Sequence, residues 1–582
     1  MKQAKKKLSR FFKQWRPKVV KLVRLMTHSS LPEIAFVSGL IFGKYLANAD
    51  FQYPGEVVIP IIIFAVIATV VVCLFRLILK NWFAARVASL SLIYALYSFN
   101  YLPNWLKNSG KLLLPKHFET VFSGATLTVL IIAILAGMLG LGCKWAVHHV
   151  KLVKELQPYR ILLFIIFLIF SFQSLKVVHK WLIIHRELTY HYPAPSYPRA
   201  ANTKVEKPDI YYFVFEDYAN DETLKNMYGY DNSSLNNYLS GQGFVYKQNA
   251  MANYPFTMQS VSSTFAMQYH TDLGKLFSKD KLGTAFPYRS IFENPPVAQL
   301  LKQNGYIYNQ LSSWWDFTRV SIKADNQPTI SFRLRFLGLK FYMTDLSRDI
   351  INKSILSQWL KKGVTFGNHS VIKYDLDNNP RENFFAQKEA VKSLAGSVHA
   401  QPQFTFAHFL APHNPYVFDA DGSYPPYDGG RNDDGVPEKE KYTREITYVN
   451  TQIEDMMGYI REHSPNAVII IQSDEGSYPD EFHYELDPKH YYDPSTLPIE
   501  KEKQKFGISA SYFMPGVDAK TVTTQITSSV NAFRFVLQHY LGYNLDMLPE
   551  CYFSAGDKFS VYNFHNETPK LLKNASPACD SL

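Results

Sequence analysis

Long apolar runs dominate the first third of the chain. Gly55–Leu79, Phe122–Cys143 and Ile161–Val178 each offer about 18–22 mostly apolar residues, enough for an α-helix to cross ~30 Å of hydrocarbon. Buried helices of soluble proteins rarely run so far without a polar stripe. The pattern therefore predicts transmembrane helices instead of a large soluble core.

Two weaker runs complete this region. Leu31–Ala47 carries Glu33 and Lys44, and Trp82–Leu102 carries Arg86. With these two runs we expect about five spans. The few charges lie near the ends of the runs, which argues against a transporter or channel with a charged path through the membrane.

After about residue 208 the apolar runs become shorter and alternate with amphipathic stretches. Segments such as 209–215, 404–410 and 467–472 are apolar on both faces and are separated by amphipathic stretches. This pattern is typical of a largely parallel sheet flanked by helices. The predicted fold is thus an α-helical membrane module followed by an α/β external domain. We expect a basic segment at 1–30, transmembrane helices at 31–186, a Tyr- and Pro-rich linker at 187–207 and a catalytic domain at 208–582.

The charge divides at about residue 200, which changes the meaning of the net charge of +11. Residues 1–200 hold 25 Lys and Arg against 6 Asp and Glu, or +19, and residues 201–582 hold 36 against 44, or −8. The positive-inside rule places the basic N-terminus in the cytoplasm, and five spans then place the α/β domain outside. We therefore expect a multi-pass protein of the cell membrane with an extracytoplasmic C-terminal domain and no nucleic-acid partner.

Acidic residues follow two of the predicted strands at the point where each strand ends. Glu216 and Asp217 come directly after the first strand, and Asp474 and Glu475 come after a later one. Because ligands collect beyond the carboxyl ends of parallel strands, these carboxylates predict a pocket for a hard divalent cation. For either pair alone, ordinary loop residues or helix caps would be the simpler interpretation.

Thr257 offers a candidate nucleophile. It follows Pro255 and precedes Val261–Met267, a segment predicted to be helical. A hydroxyl near a helix N-terminus and beside a cation can ionise and attack phosphorus or sulfur. The alternative is a helix N-cap, which is the commoner use of an isolated Thr at such a position.

Two histidines end or follow the predicted strand at 404–410. His413, which precedes Asn-Pro-Tyr, is suited to hold a substrate oxyanion or to protonate a leaving group. His408 lies within the strand, so we expect it to be a buried, hydrogen-bonded residue.

In this order, these elements resemble the alkaline phosphatase/sulfatase superfamily, and most of all its membrane-anchored branch of lipoteichoic acid synthases and lipid phosphoethanolamine transferases. The resemblance covers residues 208–560, and the five-span module matches the same branch. It implies that Thr257 is the nucleophile and a metal ligand. It also implies that Glu216, Asp474 and Glu475 bind the metal.

The resemblance extends to substrate contacts. His413-Asn414-Pro415-Tyr416 falls on the family's substrate-binding His-x-Pro-aromatic motif. Trp314 and Trp315 lie in a region where the synthases place Trp near the substrate headgroup, so the resemblance implies a substrate contact for Trp315.

The sequence departs from the family pattern at two points. Glu475 stands where a histidine is usual, which favours Mn²⁺ or Mg²⁺ over Zn²⁺. The Cys-x-(Pro/Ser)-x-Arg signature of formylglycine sulfatases is absent near Thr257. The resemblance therefore implies one divalent cation, Mn²⁺ or Mg²⁺, and a metal-dependent transferase or hydrolase. Its substrate would be a phosphoryl, or less readily a sulfuryl, ester of a membrane lipid or lipid-linked envelope polymer.

Two questions stay open at the level of sequence. A catalytically silent domain that binds or senses envelope lipids is the alternative to an enzyme, because Glu475 and Asp217 are unusual for the family. Cys551 and Cys579 lie in the external half, where they either pair or remain free thiols.

Overall fold

The computed structural model divides the chain into two compact units, which we describe separately. The N-terminal unit comprises Met1–His185 and Phe332–Asp377, and the α/β unit comprises Arg186–Ser331 and Asn378–Leu582. Most of the predicted basic segment and the loop after residue 102 lie outside the described residues. The described residues are 28–102, 124–151, 158–199, 207–279, 283–329, 334–336, 339–341, 343–357, 364–366, 369–374, 380–427, 435–478, 497–555 and 561–582.

Helices form most of the N-terminal unit, and they coincide with the predicted apolar runs. Within the described residues, Pro54–Leu79, Leu127–His149 and Pro158–Leu188 are long and apolar enough to cross a membrane. Large apolar side chains on these helices, such as Leu77 and Phe164, stay exposed, as expected for surfaces that face lipid. Five spans in all remain a prediction. The helices are α1 (Leu31–Ala47), α2 (Val58–Leu79), α3 (Trp82–Tyr97), α4 (Gly124–His149) and α5 (Pro158–Leu188).

Charged residues of the weaker runs are paired. Glu33 of α1 lies 3.1 Å from Arg86 of α3, and neither side chain is exposed. Lys44 lies 2.5 Å from Asp349. Because each charge has a partner within the same unit, these residues hold elements together instead of lining a polar path.

In the part of the chain that the structure describes, the strands form three sheets. Strands β1, β3, β8 and β9 run parallel within a six-stranded sheet of order β2-β10-β9-β1-β8-β3, and β10 is antiparallel to both β9 and β2. The largely parallel sheet that the sequence predicts is thereby confirmed. The strands are β1 (Ile210–Phe215), β2 (Val245–Tyr246), β3 (Ile307–Leu311), β4 (Leu334–Phe336), β5 (Leu339–Phe341), β6 (Val364–Phe366), β7 (His369–Tyr374), β8 (Gln403–Phe409), β9 (Val468–Ser473), β10 (Ala510–Phe513), β11 (Phe553–Ala555) and β12 (Phe564–Asn566).

The large sheet is buried on both faces by helices. Alternate side chains of β1 enter two hydrophobic clusters, with Tyr212 in one and Phe213 in the other. This burial explains why the strands read as continuous apolar runs. The helices of the α/β unit are α6 (Asp221–Thr223), α7 (Ser233–Gly241), α8 (Thr257–Ala266), α9 (Thr271–Phe277), α10 (Phe286–Glu293), α11 (Pro296–Gln303), α12 (Asp316–Arg319), α14 (Pro380–Ala395), α15 (Glu438–His463), α16 (Ile499–Phe506), α17 (Ala519–Gln525), α18 (Asn531–Leu541) and α19 (Thr568–Leu571), with α13 (Asp345–Lys353) in the other unit.

The register of the central strands brings their carboxyl ends to one level. Phe215 of β1 lies opposite Phe409 of β8 on one side and opposite Ser473 of β9 on the other. The residues that follow these three strands therefore meet at one edge of the sheet, which is where the candidate site lies.

An insertion within the α/β sequence belongs to the N-terminal unit. Phe332–Asp377 contains the antiparallel sheet β5-β4-β7-β6 and helix α13. Leu346 and Ile350 of α13 share a hydrophobic cluster with Val37 and Ile41 of α1. The sequence predicts a single domain over 208–582, because a nine-residue amphipathic helix does not indicate which element it packs against.

Cys551 and Cys579 of the α/β unit form a disulfide. Cys551 and Cys579 are joined with their Cα atoms 5.6 Å apart. The bond ties the C-terminal residues to the segment before β11, and it resolves the choice between pairing and free thiols that the sequence left open.

Candidate active site

Three loops converge beyond the carboxyl ends of β1, β8 and β9. The backbone N–H of Glu216 donates to the carbonyl of Phe409 at 3.0 Å, which extends the β1–β8 pairing by one residue. The backbone N–H of Asp217 donates to Asp474 Oδ1 at 3.2 Å. The two acidic pairs that the sequence predicts to meet are therefore joined by a hydrogen bond from the backbone of one to a side chain of the other.

Thr257 is the first residue of helix α8, and Phe256 occupies the N-cap position. Thr257 is therefore no N-cap, contrary to the alternative that the sequence allowed. The Thr257 hydroxyl donates to Glu216 Oε1 at 2.9 Å, and the residue is buried. Its position at the helix N-terminus places the hydroxyl where the helix dipole favours an anion.

Glu216, His408 and Asp474 form a cluster suited to a metal ion. Each offers one ligand atom, and these atoms lie within 4.8 Å of one another. His408 Nε2 lies 2.5 Å from Glu216 Oε2, and all three residues are buried. Asp474 Oδ2 is buried without a hydrogen bond. Two carboxylates and an imidazole that converge with an unsatisfied oxygen fit a divalent cation.

The protonation of this cluster shows the cost of burying it. Burial raises the pKa of Glu216 to about 7, against the opposing effects of the Thr257 hydrogen bond and Lys505. Burial, and next the charge of Glu216, raise the pKa of Asp474 to about 7. Burial lowers the pKa of His408 to about 4, so its imidazole is neutral. A neutral imidazole can bind a cation, and a cation bound here would offset the cost of burying the two carboxylate charges.

Glu475 has a different partner. Its Oε2 lies 3.1 Å from Lys505 Nζ, and both side chains are almost fully buried. Tyr478 donates a hydrogen bond to Glu475 Oε1 at 3.1 Å. Burial raises the pKa of Glu475 well above its ordinary value, and the Lys505 ammonium opposes this rise. Its role as a metal ligand stays a prediction, since the structure pairs it with an ammonium group.

The predicted substrate residues lie next to the cluster. His413 Nε2 is 3.7 Å from Asp217 Oδ2, and the His413 side chain is 26% exposed. The Trp315 ring packs edge-on against His408, with ring centres 5.7 Å apart. Trp314 shares a small cavity with His413. Their contact with substrate stays a prediction.

The sequence interpretation missed two participants, His408 as a ligand candidate and Lys505. His408 lies within β8, opposite Val214, and only the register reveals that it reaches the end of β1. Lys505 lies on α16, in the charged sequence IEKEKQKF, where no feature separates it from solvated lysines.

Comparison with known proteins places the site in a family. Residues 208–543, more than half of the chain, match the family model described as Sulfatase. The comparison with curated proteins found no match.

The comparison with solved structures found the following two among its matches. The C-terminal periplasmic domain of EcEptC from Escherichia coli is 11% identical, with a TM-score of 0.39 over 65% of this chain and 96% of that chain. The integral membrane lipooligosaccharide phosphoethanolamine transferase A (EptA) from Neisseria meningitidis is 13% identical, with a TM-score of 0.37 over 88% of this chain and 95% of that chain. With TM-scores this low, the assignment rests on the family model.

Proposed function

Because this chain belongs to the sulfatase family, we propose that it is a membrane-anchored, metal-dependent transferase or hydrolase with Thr257 as its nucleophile. Its substrate is a phosphoryl ester of a cell-envelope lipid or lipid-linked polymer. The observation that carries the proposal is the Thr257 hydroxyl at the N-terminus of α8, 2.9 Å from Glu216 in a buried carboxylate–imidazole cluster.

The cysteine distribution favours phosphoryl over sulfuryl chemistry. The chain holds four cysteines, and none lies within the matched region 208–543. The two cysteines that follow this region form a disulfide. A formylglycine nucleophile made from cysteine is therefore excluded, and Thr257 takes its place.

Glu216, His408 and Asp474 would hold the divalent cation. We propose Mn²⁺ or Mg²⁺, and of the two the imidazole of His408 favours Mn²⁺. When bound, the ion would lower the pKa of the Thr257 hydroxyl and neutralise negative charge on the substrate.

The residues of the site divide the remaining work. Thr257 Oγ1 attacks phosphorus, and Glu216 Oε1 accepts the hydroxyl proton. N–H groups of the first turn of α8 face the anionic oxygens. His413 protonates the leaving alcohol, and the neutral His413 then removes a proton from the second alcohol or water that takes the group from Thr257.

Intact-mass measurement of the full-length protein, incubated with a total membrane lipid extract and Mn²⁺, tests this proposal. A mass increment mapped to Thr257 would identify both the nucleophile and the donated group. Thr257→Ala should lose the increment and all turnover while staying folded, and Thr257→Ser should keep some of both, because it retains the hydroxyl. Full turnover in Thr257→Ala would rule out the covalent mechanism.

A catalytically silent, lipid-binding domain is the second candidate, and the Glu475–Lys505 pair favours it. In a silent site, an internal ammonium takes over part of the charge balance that a metal would provide. Elemental analysis of the purified full-length protein separates the two candidates. One divalent metal per chain, lost in Asp474→Asn, supports the enzyme, and a metal-free protein that still binds lipid supports the silent domain.

A further inference from the structure

Asp217 has an unusual backbone conformation at the centre of the site. Its φ of 57° lies in the left-handed region, which a non-glycine residue rarely adopts. The residue is 4% exposed and directly follows Glu216. Strain of this kind persists where surrounding contacts enforce it.

Asp217 makes contacts through its backbone N–H, its carbonyl and its carboxylate. Its backbone N–H donates to Asp474 Oδ1 at 3.2 Å. Its carbonyl accepts a hydrogen bond from the Tyr442 hydroxyl at 2.6 Å, and that hydroxyl in turn accepts from the N–H of Ala219 at 3.1 Å. Its carboxylate Oδ2 lies 3.7 Å from His413 Nε2. The left-handed turn thus aims the carboxylate at the histidine while the backbone ties it to the metal cluster.

We propose that Asp217 is a positioning residue, which holds the imidazole of His413 in place to protonate the leaving group. Tyr442, buried on α15, supports this role by fixing the strained turn. Asp217 therefore acts on the proton donor His413 and not on the metal, although it is adjacent in sequence to the metal-ligand candidate Glu216. The inference rests on the proposed function, because it concerns the departure of the alcohol in that reaction.

The proton balance of this step is complete. The bond from Thr257 Oγ1 to phosphorus forms while the bond from phosphorus to the leaving oxygen breaks, and the electron pair stays on that oxygen. The leaving oxygen takes the proton from protonated His413, which becomes neutral. The Thr257 proton passes to Glu216. The Asp217 carboxylate exchanges no proton and stabilises the imidazolium through its charge and position.

A leaving-group comparison with the full-length protein tests the inference. The two substrates are phosphodiesters with the headgroup found on Thr257, one releasing an alkyl alcohol and the other p-nitrophenol. An alkyl alcohol must be protonated as it leaves, whereas p-nitrophenolate departs without a proton. In Asp217→Asn and Asp217→Gly we expect kcat to fall roughly tenfold to a hundredfold for the alkyl ester, and by less than about threefold for the nitrophenyl ester. Tyr442→Phe should show the same selectivity with a smaller loss.

Asp217→Gly separates this role from a folding defect. Glycine adopts positive φ without strain, so this variant should melt at the wild-type temperature or above it. Asn249→Gly is the matched control, because Asn249 is an exposed residue with φ 52°. It should gain stability and keep both activities. Asp217→Gly/His413→Gln should be no slower with the alkyl ester than His413→Gln alone. Asp217 acts only through proton donation by His413, so its loss has no further effect once that donor is gone.

Two outcomes would overturn the inference while leaving the proposed function intact. Equal losses with both substrates would show that Asp217 does not act through proton donation. A loss of bound metal in Asp217→Gly would make it a metal ligand instead. Failure of the proposed function looks different, because the wild-type protein would then form no adduct on Thr257.

Discussion

At the scale of a single residue, Lys505 is a buried charge that is held by an ion pair and an aromatic ring. Its ammonium lies 3.1 Å from Glu475 Oε2 and 3.3 Å from the centre of the Tyr478 ring, with no exposed side-chain surface. Removing one partner of a buried pair leaves the other charge without compensation, which costs far more than the pair itself contributes. The same ammonium also opposes the burial-induced rise in the pKa values of Glu216 and Asp474.

Lys505→Met should therefore lower the free energy of unfolding by ~3–5 kcal/mol, because the Glu475 carboxyl stays buried without its ammonium. Glu475→Gln/Lys505→Met should recover most of that loss. Thermal unfolding of the detergent-solubilised variants measures both effects. A double variant as unstable as Lys505→Met would show that the lysine stabilises the fold through its packing and not through the ion pair.

Residue identity alone predicted part of the candidate site that the structure brings together. Glu216, Asp474 and Thr257 were found because carboxylates after strands and a hydroxyl before a helix have chemical meaning at those places. His408 and Lys505 gave no such signal, since a histidine in an apolar strand and a lysine in a charged helix have common structural uses. Their roles depend on which side chains the tertiary structure places opposite them.

At the scale of elements, helix α15 holds the loop that carries His413. Glu445 of α15 accepts hydrogen bonds from the backbone N–H groups of Val417 at 2.8 Å and Phe418 at 3.2 Å. The Glu445 side chain is fully buried. Burial raises the pKa of Glu445 to about 8, even though both hydrogen bonds lower it.

This raised pKa predicts a stability that falls with rising pH. Between pH 4.5, the ordinary value, and about 8, the folded state keeps a proton that the unfolded state releases, so the free energy of unfolding decreases as pH rises. Glu445→Gln keeps the accepting oxygen but does not ionise. Its melting temperature relative to wild type should rise between pH 5 and pH 8.5, by an amount equivalent to a few kcal/mol. Melting curves of both proteins that stay parallel across this range would contradict the prediction.

The positions of the central strands of the large sheet were predictable to about one residue, because these strands are buried. The run 209–215 became Ile210–Phe215, and 404–410 became Gln403–Phe409. Buried strands must be continuously apolar, so their ends appear in the sequence as the first polar residues. The register between strands was not predictable, because it is set by side chains from different parts of the chain. It is the register that brings His408 to the cluster.

For the whole molecule, the sequence predicted the two environments and the superfamily, and the Sulfatase match confirms the latter. Among the described residues, three helices are long and apolar enough to span a membrane, and five spans are predicted. With either odd number, we expect the α/β unit on the side of the membrane opposite the N-terminus. The Cys551–Cys579 disulfide agrees with an oxidising compartment outside the cytoplasm.

Cysteine labelling in intact cells tests this topology. Val398 is fully exposed in the α/β unit, and Lys151 is exposed just after α4. Val398→Cys should react with a membrane-impermeant maleimide in intact cells, whereas Lys151→Cys should react only after permeabilisation. The unmodified chain supplies the background from Cys73 and Cys143. Labelling of Lys151→Cys in intact cells would reverse the predicted orientation of α4.

Because the insertion at Phe332–Asp377 belongs to the N-terminal unit, the α/β unit is not one continuous segment that can be excised from the chain. The chain passes between the two units three times, at residues 185, 331 and 377. A fragment that starts at the linker would keep the insertion and lose the helices on which Leu346 and Ile350 pack. Such a fragment would expose the hydrophobic surface of the insertion that these helices cover in the full-length chain. Any exchange of this catalytic half between membrane anchors would have to move the insertion's partners with it.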